Sequence, residues 1–256
     1  SDVYKRQLLT YRIEGKGASV GRESHPSLIR VYDCSGEAKI AFVDETYTAL
    51  KDEGKSFYAL TATLYRRDEL STLREDLVEI VDDFFGKPRP YWHTTEALRT
   101  ASGRKKYTEL LEYLSENEDI SFVTCQTAID PNVPAQTNSK KRTSPEEFAR
   151  RECLKQAFKR FLNHDPDLQG VVFEKRQSNE ENDRDKAFLK AMRRRGEIPN
   201  LQRAWVSPYD EVALWVPDIV GMAYRHKRVL PSTSLGACFD RYLAGSTLVY
   251  EFDPQI

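Results

Sequence analysis

The sequence predicts an α/β fold in which a mixed sheet, antiparallel at its start, is flanked by helices. Two strand-type apolar runs, 39–47 and 57–65, are separated by a polar linker whose length suits a hairpin. Later apolar runs alternate with stretches in which apolar residues recur every three or four positions, as in helices packed on a sheet. Of the 256 residues, 39% are hydrophobic, which is enough for one domain with a sizeable core.

Three parts of the chain differ in patterning. Residues 1–38 are rich in Gly, Ser and charge and contain one possible strand, LLTYRIEG, so they predict an N-terminal arm. The opening SDVYKRQ (1–7) resembles an assembly scar of metagenomic reading frames and is excluded from the predicted fold. Residues 39–228 form the predicted domain, and 229–256 a C-terminal extension packed on it, with a possible strand at STLVYEF.

Caps and apolar spacing predict the helices. Asp68 caps the first helix and Gly86 closes it, whereas Ser144, Pro145 and Glu147 combine a cap, an N-terminal proline and a capping-box acid. The predicted helices cover about 69–85, 104–117, 145–162, 183–195 and 208–226. Between and after them, strands are predicted at 120–129, 170–176 and 203–206.

Charge, hydropathy and cysteine usage exclude several classes of protein. A net charge of -1 excludes a globally basic nucleic-acid binder but leaves local basic faces open. No apolar run reaches the roughly 20 residues that span a bilayer, so no membrane partner is expected. The four cysteines are scattered without a C-x-x-C pair, which argues against structural zinc and disulfides and fits a reducing, cytoplasmic compartment.

Acidic side chains follow the predicted strands. Asp44 and Glu45 end the strand KIAFV, and Glu174 ends the strand GVVF. The carboxyl ends of strands are where open α/β sheets place ligands. The alternative interpretation is that these are ordinary turn acids.

Asp218 interrupts the apolar stretch VALWVPDIVGMA of the last predicted helix. A buried carboxylate without a partner costs several kcal/mol, so a cation, a hydrogen-bond network or a metal is expected beside it. The alternative is a structural salt bridge with an arginine such as Arg176. Pro217, directly before it, predicts a kink in this helix.

Carboxylates from two strand ends and one helix are what two-metal phosphodiester chemistry requires. Mg²⁺ or Mn²⁺ takes oxygen ligands, and a pair of such ions stabilises both the attacking and the leaving oxygen. Asp44, Glu174 and Asp218 are therefore candidate ligands of a two-ion site.

Several short motifs in a fixed order resemble one bacterial family. They are FVDET, WHTTE, VVFEKR and the terminal LWVPDIVGMAYR. Together they are similar to the domain of unknown function 3800 family, which is placed in the ribonuclease H-like (retroviral-integrase-like) superfamily. The resemblance covers about residues 39–228 and implies a ribonuclease H-like mixed sheet.

The resemblance also implies a set of catalytic residues. They are Asp44, Glu45, His93, Glu174, Arg176 and Asp218. Asp44, Glu174 and Asp218 match metal-ligand positions, Glu45 is an auxiliary acid, and His93 and Arg176 are phosphate or transition-state contacts. For His93 the alternative is a structural residue packed on Trp92.

The sequence departs from the family pattern at three positions. Thr46 replaces a Ser, Glu174 replaces an Asp, and Pro217 replaces an Ala. Glu for Asp keeps a ligand but lengthens it by one methylene.

A basic cluster follows Glu174. It comprises Arg184, Lys186, Lys190, Arg193, Arg194, Arg195 and Arg203. Lys190, Arg193 and Arg194 are spaced i, i+3 and i+4, so they share a helix face and, with Arg195, are candidate nucleic-acid contacts. The alternative is a solvated helix end, where cations favour the dipole.

The sequence therefore predicts a metal-dependent nuclease or related phosphodiester-processing enzyme acting on DNA or RNA. The alternative is a non-catalytic nucleic-acid-binding or protein-interaction module with a degraded site. The departures at Glu174 and Pro217 favour that alternative.

Overall fold

The computed structural model describes residues 25–48, 56–85, 91–117, 119–129 and 144–253. These residues form one six-stranded mixed sheet with helices on both faces, so the predicted α/β class is confirmed. Within the same ranges, no helix combines the length and apolar character that crossing a bilayer requires.

The predicted hairpin lies at the centre of the sheet. The strands are β1 (Lys39–Thr48), β2 (Phe57–Arg66), β3 (Ser121–Gln126), β4 (Gly170–Glu174), β5 (Gln202–Val206) and β6 (Thr247–Phe252). Their order across the sheet is β5-β4-β1-β2-β3-β6. β2 is antiparallel to both of its neighbours, β1 and β3, whereas β4 and β5 continue in parallel beside β1, and β6 is parallel to β3. The carboxyl ends of β1, β4 and β5 therefore meet at one end of the sheet.

Helices cover both faces of this sheet. They are α1 (Pro26–Tyr32), α2 (Leu70–Phe85), α3 (Thr94–Ala97), α4 (Ala101–Glu116), α5 (Pro145–His164), α6 (Asn179–Arg194), α7 (Trp215–Val229) and α8 (Ser234–Cys238). A 3₁₀ turn, Val212–Leu214, precedes α7, and a π-helical turn, Phe239–Leu243, follows α8.

The two faces have separate apolar cores. Ile40 and Phe42 of β1 pack with the α7 side of the sheet, whereas Ala41 and Val43 pack with the α5 and α6 side. Successive side chains of a strand alternate between faces, so adjacent residues of β1 enter different environments. The prediction that Asp44 and Glu45 end this strand is wrong, because β1 continues to Thr48 and stays paired with β2 through both acids. The alternation decides on which face of the sheet each acid lies.

Helix α7 begins later than the sequence predicts. Ser207 and Pro208 form a turn, and the α-helix starts at Trp215, which makes Pro217 its third residue. The first-turn N–H groups of a helix have no intrahelical acceptor, so proline there removes no hydrogen bond and imposes no kink. The predicted kink is wrong, because Pro217 lies at a helix start.

Helix α6 begins earlier than predicted, at Asn179. Ser178 accepts a hydrogen bond from the Glu181 N–H, and the Glu181 carboxylate accepts one from the Ser178 N–H. This reciprocal capping box adds a first turn. Apolar periodicity does not predict that turn, because its sequence, SNEEND, contains no apolar residue. The added turn brings α6 towards the end of β4.

The segments outside 39–228 also belong to the fold. Residues 25–38, in the predicted arm, include α1, whose Leu28 and Val31 are buried. A Cβ on Gly170 would lie 2.7 Å from Val31 Cγ1, so glycine permits this close approach of α1 to β4. In the predicted extension, β6 confirms the expected strand and joins the sheet beside β3. Residues 1–7 and LLTYRIEG lie outside the described residues.

Candidate active site

The end of the parallel strands places two carboxylates side by side. β1 and β4 pair with Val43 opposite Phe173, so the next residues, Asp44 and Glu174, are neighbours across the sheet. Alternation puts Asp44 on the face of Phe42, which packs with α7. Both carboxylates are half-buried. The adjacency of two acids distant in sequence follows from the parallel register alone.

Asp218 approaches the same place from α7. It is the fourth residue of the helix and is half-buried. Its Oδ2 accepts a hydrogen bond from the backbone N–H of Thr94 at 2.9 Å. A Cβ on Gly221, one turn further along, would lie 3.0 Å from Thr61 Oγ1, so glycine lets α7 pack closely on the sheet. A backbone N–H is thus a partner of this carboxylate.

All six candidate catalytic residues line one cavity of about 650 Å³. They are Asp44, Glu45, His93, Glu174, Arg176 and Asp218. The cavity lies where β1 and β4 end, between the first turn of α7 and the starts of α3, α5 and α6. Residues that are 174 positions apart in sequence therefore reach a common space.

The three carboxylates on the α7 side repel one another. Burial raises the pKa of Asp44 well above its usual range, and the charges of Glu174 and Asp218 raise it further. Burial and the charge of Asp218 raise the pKa of Glu174 from 4.5 to about 7. Burial also raises the pKa of Asp218, against the hydrogen bonds from Thr94. The approach of the two side chains raises the pKa of Asp44 further and lowers that of Glu174, so the two carboxyl groups influence each other's protonation.

His93 lies on the wall of this cavity at the start of α3. Its Nδ1 is buried and has no hydrogen-bond partner among the described residues. Trp92 beside it is 1% exposed and donates through Nε1 to Thr94 Oγ1 at 2.8 Å. This segment therefore positions the N–H that binds Asp218 and leaves a ring nitrogen of His93 without a protein partner.

Glu45 and Arg176 belong to a different charge network. Glu45 forms ion pairs with Arg150 and, at 3.6 Å, with Arg176. Arg176 also contacts Glu147 and Glu181, both at 3.1 Å. Among the described residues, Arg176 forms no ion pair with Asp218, so the predicted structural salt bridge between them is absent. Alternation along β1 separates Glu45 from Asp44.

Arg150 and Asp185 are central to this network and were not predicted from the sequence. Each is 2% exposed, and Arg150 Nη2 lies 2.7 Å from Asp185 Oδ2. Arg150 also donates to the Tyr58 hydroxyl at 3.0 Å. The signal that could have identified them is their spacing, because Asp185 precedes the buried Leu189 and Met192 by four and seven residues on the apolar face of α6.

The basic residues of α6 separate into two groups. Lys190 and Arg193 line a second cavity of about 350 Å³ together with Lys186 and Arg203. Arg194 and Arg195 do not contribute to its lining, and Arg195 pairs with Glu197. The predicted nucleic-acid contacts are thus divided between a groove and an exposed helix end.

The donor chemistry of the acidic cavity suits a hard divalent cation. Carboxylate oxygens are the ligands that Mg²⁺ and Mn²⁺ prefer, and a cation would relieve the repulsion between Asp44, Glu174 and Asp218. As the described side chains stand, however, no group of three or more His, Cys, Asp or Glu residues could hold a metal ion. Binding therefore requires these carboxylates to turn towards a common point and to be deprotonated, although the pKa values of Asp44 and Glu174 are raised.

The chain matches no protein-family model and no curated protein sequence.

Proposed function

We propose that this protein is a divalent-metal-dependent nuclease, or a related phosphodiester-processing enzyme, on a ribonuclease H-like fold. The observation that carries the proposal is that Asp44, Glu174 and Asp218 line one cavity and each has a raised pKa. Carboxylates that perturb one another in a cleft are typical of functional sites. The sheet, an antiparallel hairpin continued by parallel strands, agrees with the resemblance to the domain of unknown function 3800 family.

Asp44, Glu174 and Asp218 would hold Mg²⁺ or Mn²⁺, with two ions as the proposed stoichiometry. When bound, such ions polarise a phosphoryl oxygen and lower the pKa of a coordinated water. Asp44 and Glu174 have raised pKa values and must be deprotonated to act as ligands, so metal affinity is expected to rise with pH.

Other residues would orient the substrate and the ligands. The Thr94 N–H fixes one oxygen of Asp218. The unpartnered Nδ1 of His93 offers a hydrogen bond to a phosphate oxygen or a water. Arg176 lies on the wall of the cavity, where Glu45, Glu147 and Glu181 hold its guanidinium.

Mn²⁺-dependent melting and cleavage test the proposal together. Mn²⁺ should raise the melting temperature of the wild type, since a ligand that binds only the folded state stabilises it. Asp44→Asn, Glu174→Gln and Asp218→Asn should each remove that rise and the cleavage of labelled DNA and RNA strands. Glu146→Gln is the matched control, because Glu146 lines the same cavity outside the trio. A wild type that neither responds to Mn²⁺ nor cleaves any strand contradicts the proposal.

The second candidate is a nucleic-acid-binding module with a degraded site. The observation that favours it is the lack, among the described residues, of three side chains already placed to hold a metal. In that case labelled strands bind with equal affinity in Mn²⁺ and in EDTA, and the three carboxylate variants bind as the wild type does.

A further inference from the structure

A second cavity, on the outer side of α6 and β5, has only basic charge. Its charged lining residues are Lys186, Lys190, Arg193 and Arg203. The remaining lining residues are Asn200, Leu201, Gln202 and Trp205, so no described acid lines it. In a protein with a net charge of -1, this concentration of cations is local. We refer to these eight residues as the basic groove.

Arg203 is the residue whose charge is least compensated. Its Nη1 is buried and has no hydrogen-bond partner among the described residues. Burial lowers the pKa of Arg203, and the charge of Arg193 lowers it further. Arg203 is half-buried, and a cation with a buried nitrogen that lacks a partner is one that an anion would stabilise.

The other cations of the groove are only partly neutralised. Lys186 lies 3.0 Å from Asp183, whereas Arg193 donates to the neutral amide oxygen of Asn200 at 2.5 Å. Lys190 forms no ion pair with any described residue. Asp183 supplies one negative charge and Asn200 supplies none, so these two partners do not neutralise the four cations of the groove.

The dimensions of the groove fit a chain of phosphates better than a single anion. Lys186, Lys190 and Arg193 are spaced i, i+4 and i+7 on α6, so they extend over about 10 Å of the helix axis. Val206 pairs with Glu174, and Arg203 is three residues earlier on β5, about 10 Å along the strand. Arg184 lines the acidic cavity and Lys186 the groove, so α6 contributes to both.

We infer that the basic groove binds the phosphate backbone of a nucleic-acid strand whose scissile phosphodiester lies in the acidic cavity. This inference rests on the proposed function and names the path of its substrate. The contacts are phosphate contacts, so they give affinity and position without sequence preference. Lys186 and Arg203 line the groove and are among these phosphate contacts, whereas Arg194 and Arg195 do not line it and are not.

Binding in EDTA, where cleavage is excluded, tests the inference. The probe is a fluorescein-labelled single strand of mixed sequence, followed by anisotropy over a series of salt concentrations. The double variant Lys190→Gln, Arg193→Gln should bind about tenfold more weakly and lower the slope of log affinity against log salt by about 1.4. The variant Arg194→Gln, Arg195→Gln removes the same charge from the same helix end and should retain wild-type affinity and slope. Equal effects in both variants, or none in either, overturn the inference.

Arg203→Met tests whether the half-buried guanidinium of Arg203 contributes to strand binding or to folding stability. Its melting temperature should equal or exceed that of the wild type, because an uncompensated charge is removed, while its affinity for the strand falls. A lower melting temperature contradicts the inference. Full competition by millimolar inorganic phosphate would also overturn it, since the site would then hold a single anion.

Cleavage assays separate failure of this inference from failure of the proposed function. If the strand binds through the groove but no metal supports cleavage, the inference about the groove stands and the nuclease proposal fails. If the wild type cleaves and the double variant Lys190→Gln, Arg193→Gln leaves KM unchanged, the nuclease proposal stands and the inference about the groove is wrong.

Discussion

Neighbouring acids of β1 have different environments because they point to opposite faces of the sheet. Asp44 lies beside Glu174 and near the charge of Asp218, whereas Glu45 pairs with Arg150 and Arg176. Burial, followed by repulsion from neighbouring carboxylates, raises the pKa of Asp44 and Glu174, whereas ion pairs neutralise Glu45. A single-residue shift in register would exchange these environments.

Asp218→Asn should leave the metal-free protein as stable as the wild type, within about 1 kcal/mol, or more stable. The substitution removes repulsion with Asp44 and Glu174, and the amide oxygen still accepts from the Thr94 N–H. Urea denaturation in EDTA measures the effect. Asp183→Asn, on the exposed side of α6, is the control, and a loss of several kcal/mol at Asp218 alone would assign it a structural role.

The metal-free protein should become less stable as pH rises from 4.5 to about 7, through the range in which Glu174 titrates. A carboxyl group with a raised folded-state pKa binds its proton more tightly when folded, so its contribution is complete below the unfolded pKa and lost as pH passes the folded one. The expected loss is about 1–3 kcal/mol.

Glu174→Gln should flatten this pH dependence in denaturation curves recorded in EDTA. Burial also raises the pKa of Asp119 to about 6, which adds a slope of the same sign. Asp119→Asn is therefore the necessary comparison. An unchanged slope in Glu174→Gln would show that Glu174 does not titrate in this range.

At the scale of elements, the starts of α6 and α7 position the cavity. The capping box of Ser178 and Glu181 begins α6 next to the end of β4, and Glu181 also pairs with Arg176. Pro217 lies in the first turn of α7, directly before Asp218. Local sequence at two helix N-termini thus determines where charged side chains meet the strand ends.

Pro217→Ala should lower stability by at most about 1 kcal/mol, because proline in a compatible first turn acts mainly by restricting the unfolded chain. Pro145→Ala, in the first turn of α5, should behave alike. Chemical denaturation distinguishes this outcome from that of a kinked helix interior, in which replacing proline would stabilise the protein by about 3 kcal/mol.

At the scale of the whole molecule, buried ion pairs connect helices on both faces of the sheet. Arg150 and Asp185 join α5 to α6. On the other face, Arg74 of α2 lies 2.8 Å from Glu211, which also accepts from the Tyr32 hydroxyl of α1. The first network connects two helices that border the acidic cavity, and the second connects α1 and α2 to the segment that precedes α7.

Arg150→Met should destabilise the protein by about 3–5 kcal/mol, because the buried Asp185 loses its close partner and keeps only the more distant Arg176, at 3.9 Å. The neighbouring Arg151, whose side chain is 34% exposed, provides the comparison. Arg151→Met should cost less than about 1 kcal/mol. Similar losses in both variants, measured by urea denaturation, would contradict a special role for the Arg150 network.

Local patterns in the sequence predicted most of the sheet and helices. The strand-type runs at 39–47, 57–65 and 170–176 correspond to β1, β2 and β4, because alternation and apolar runs are properties of neighbouring residues. Helix starts were predicted less well. Polar caps, as at Ser178, and a proline in a first turn, as at Pro217, carry no apolar periodicity.

The sequence by itself determined that acids follow two apolar strand segments, that one acid interrupts an apolar helix, and that cations cluster after Glu174. Only the tertiary structure decided which of them share a space. Asp44, Glu174 and Asp218 meet because β4 pairs in parallel with β1 and α7 packs on that face. The same geometry pairs Arg176 with Glu45 and separates Lys190 and Arg193 from Arg194. The physical reason is that secondary structure depends on neighbours in sequence, whereas a site depends on strand order and on the face each side chain occupies.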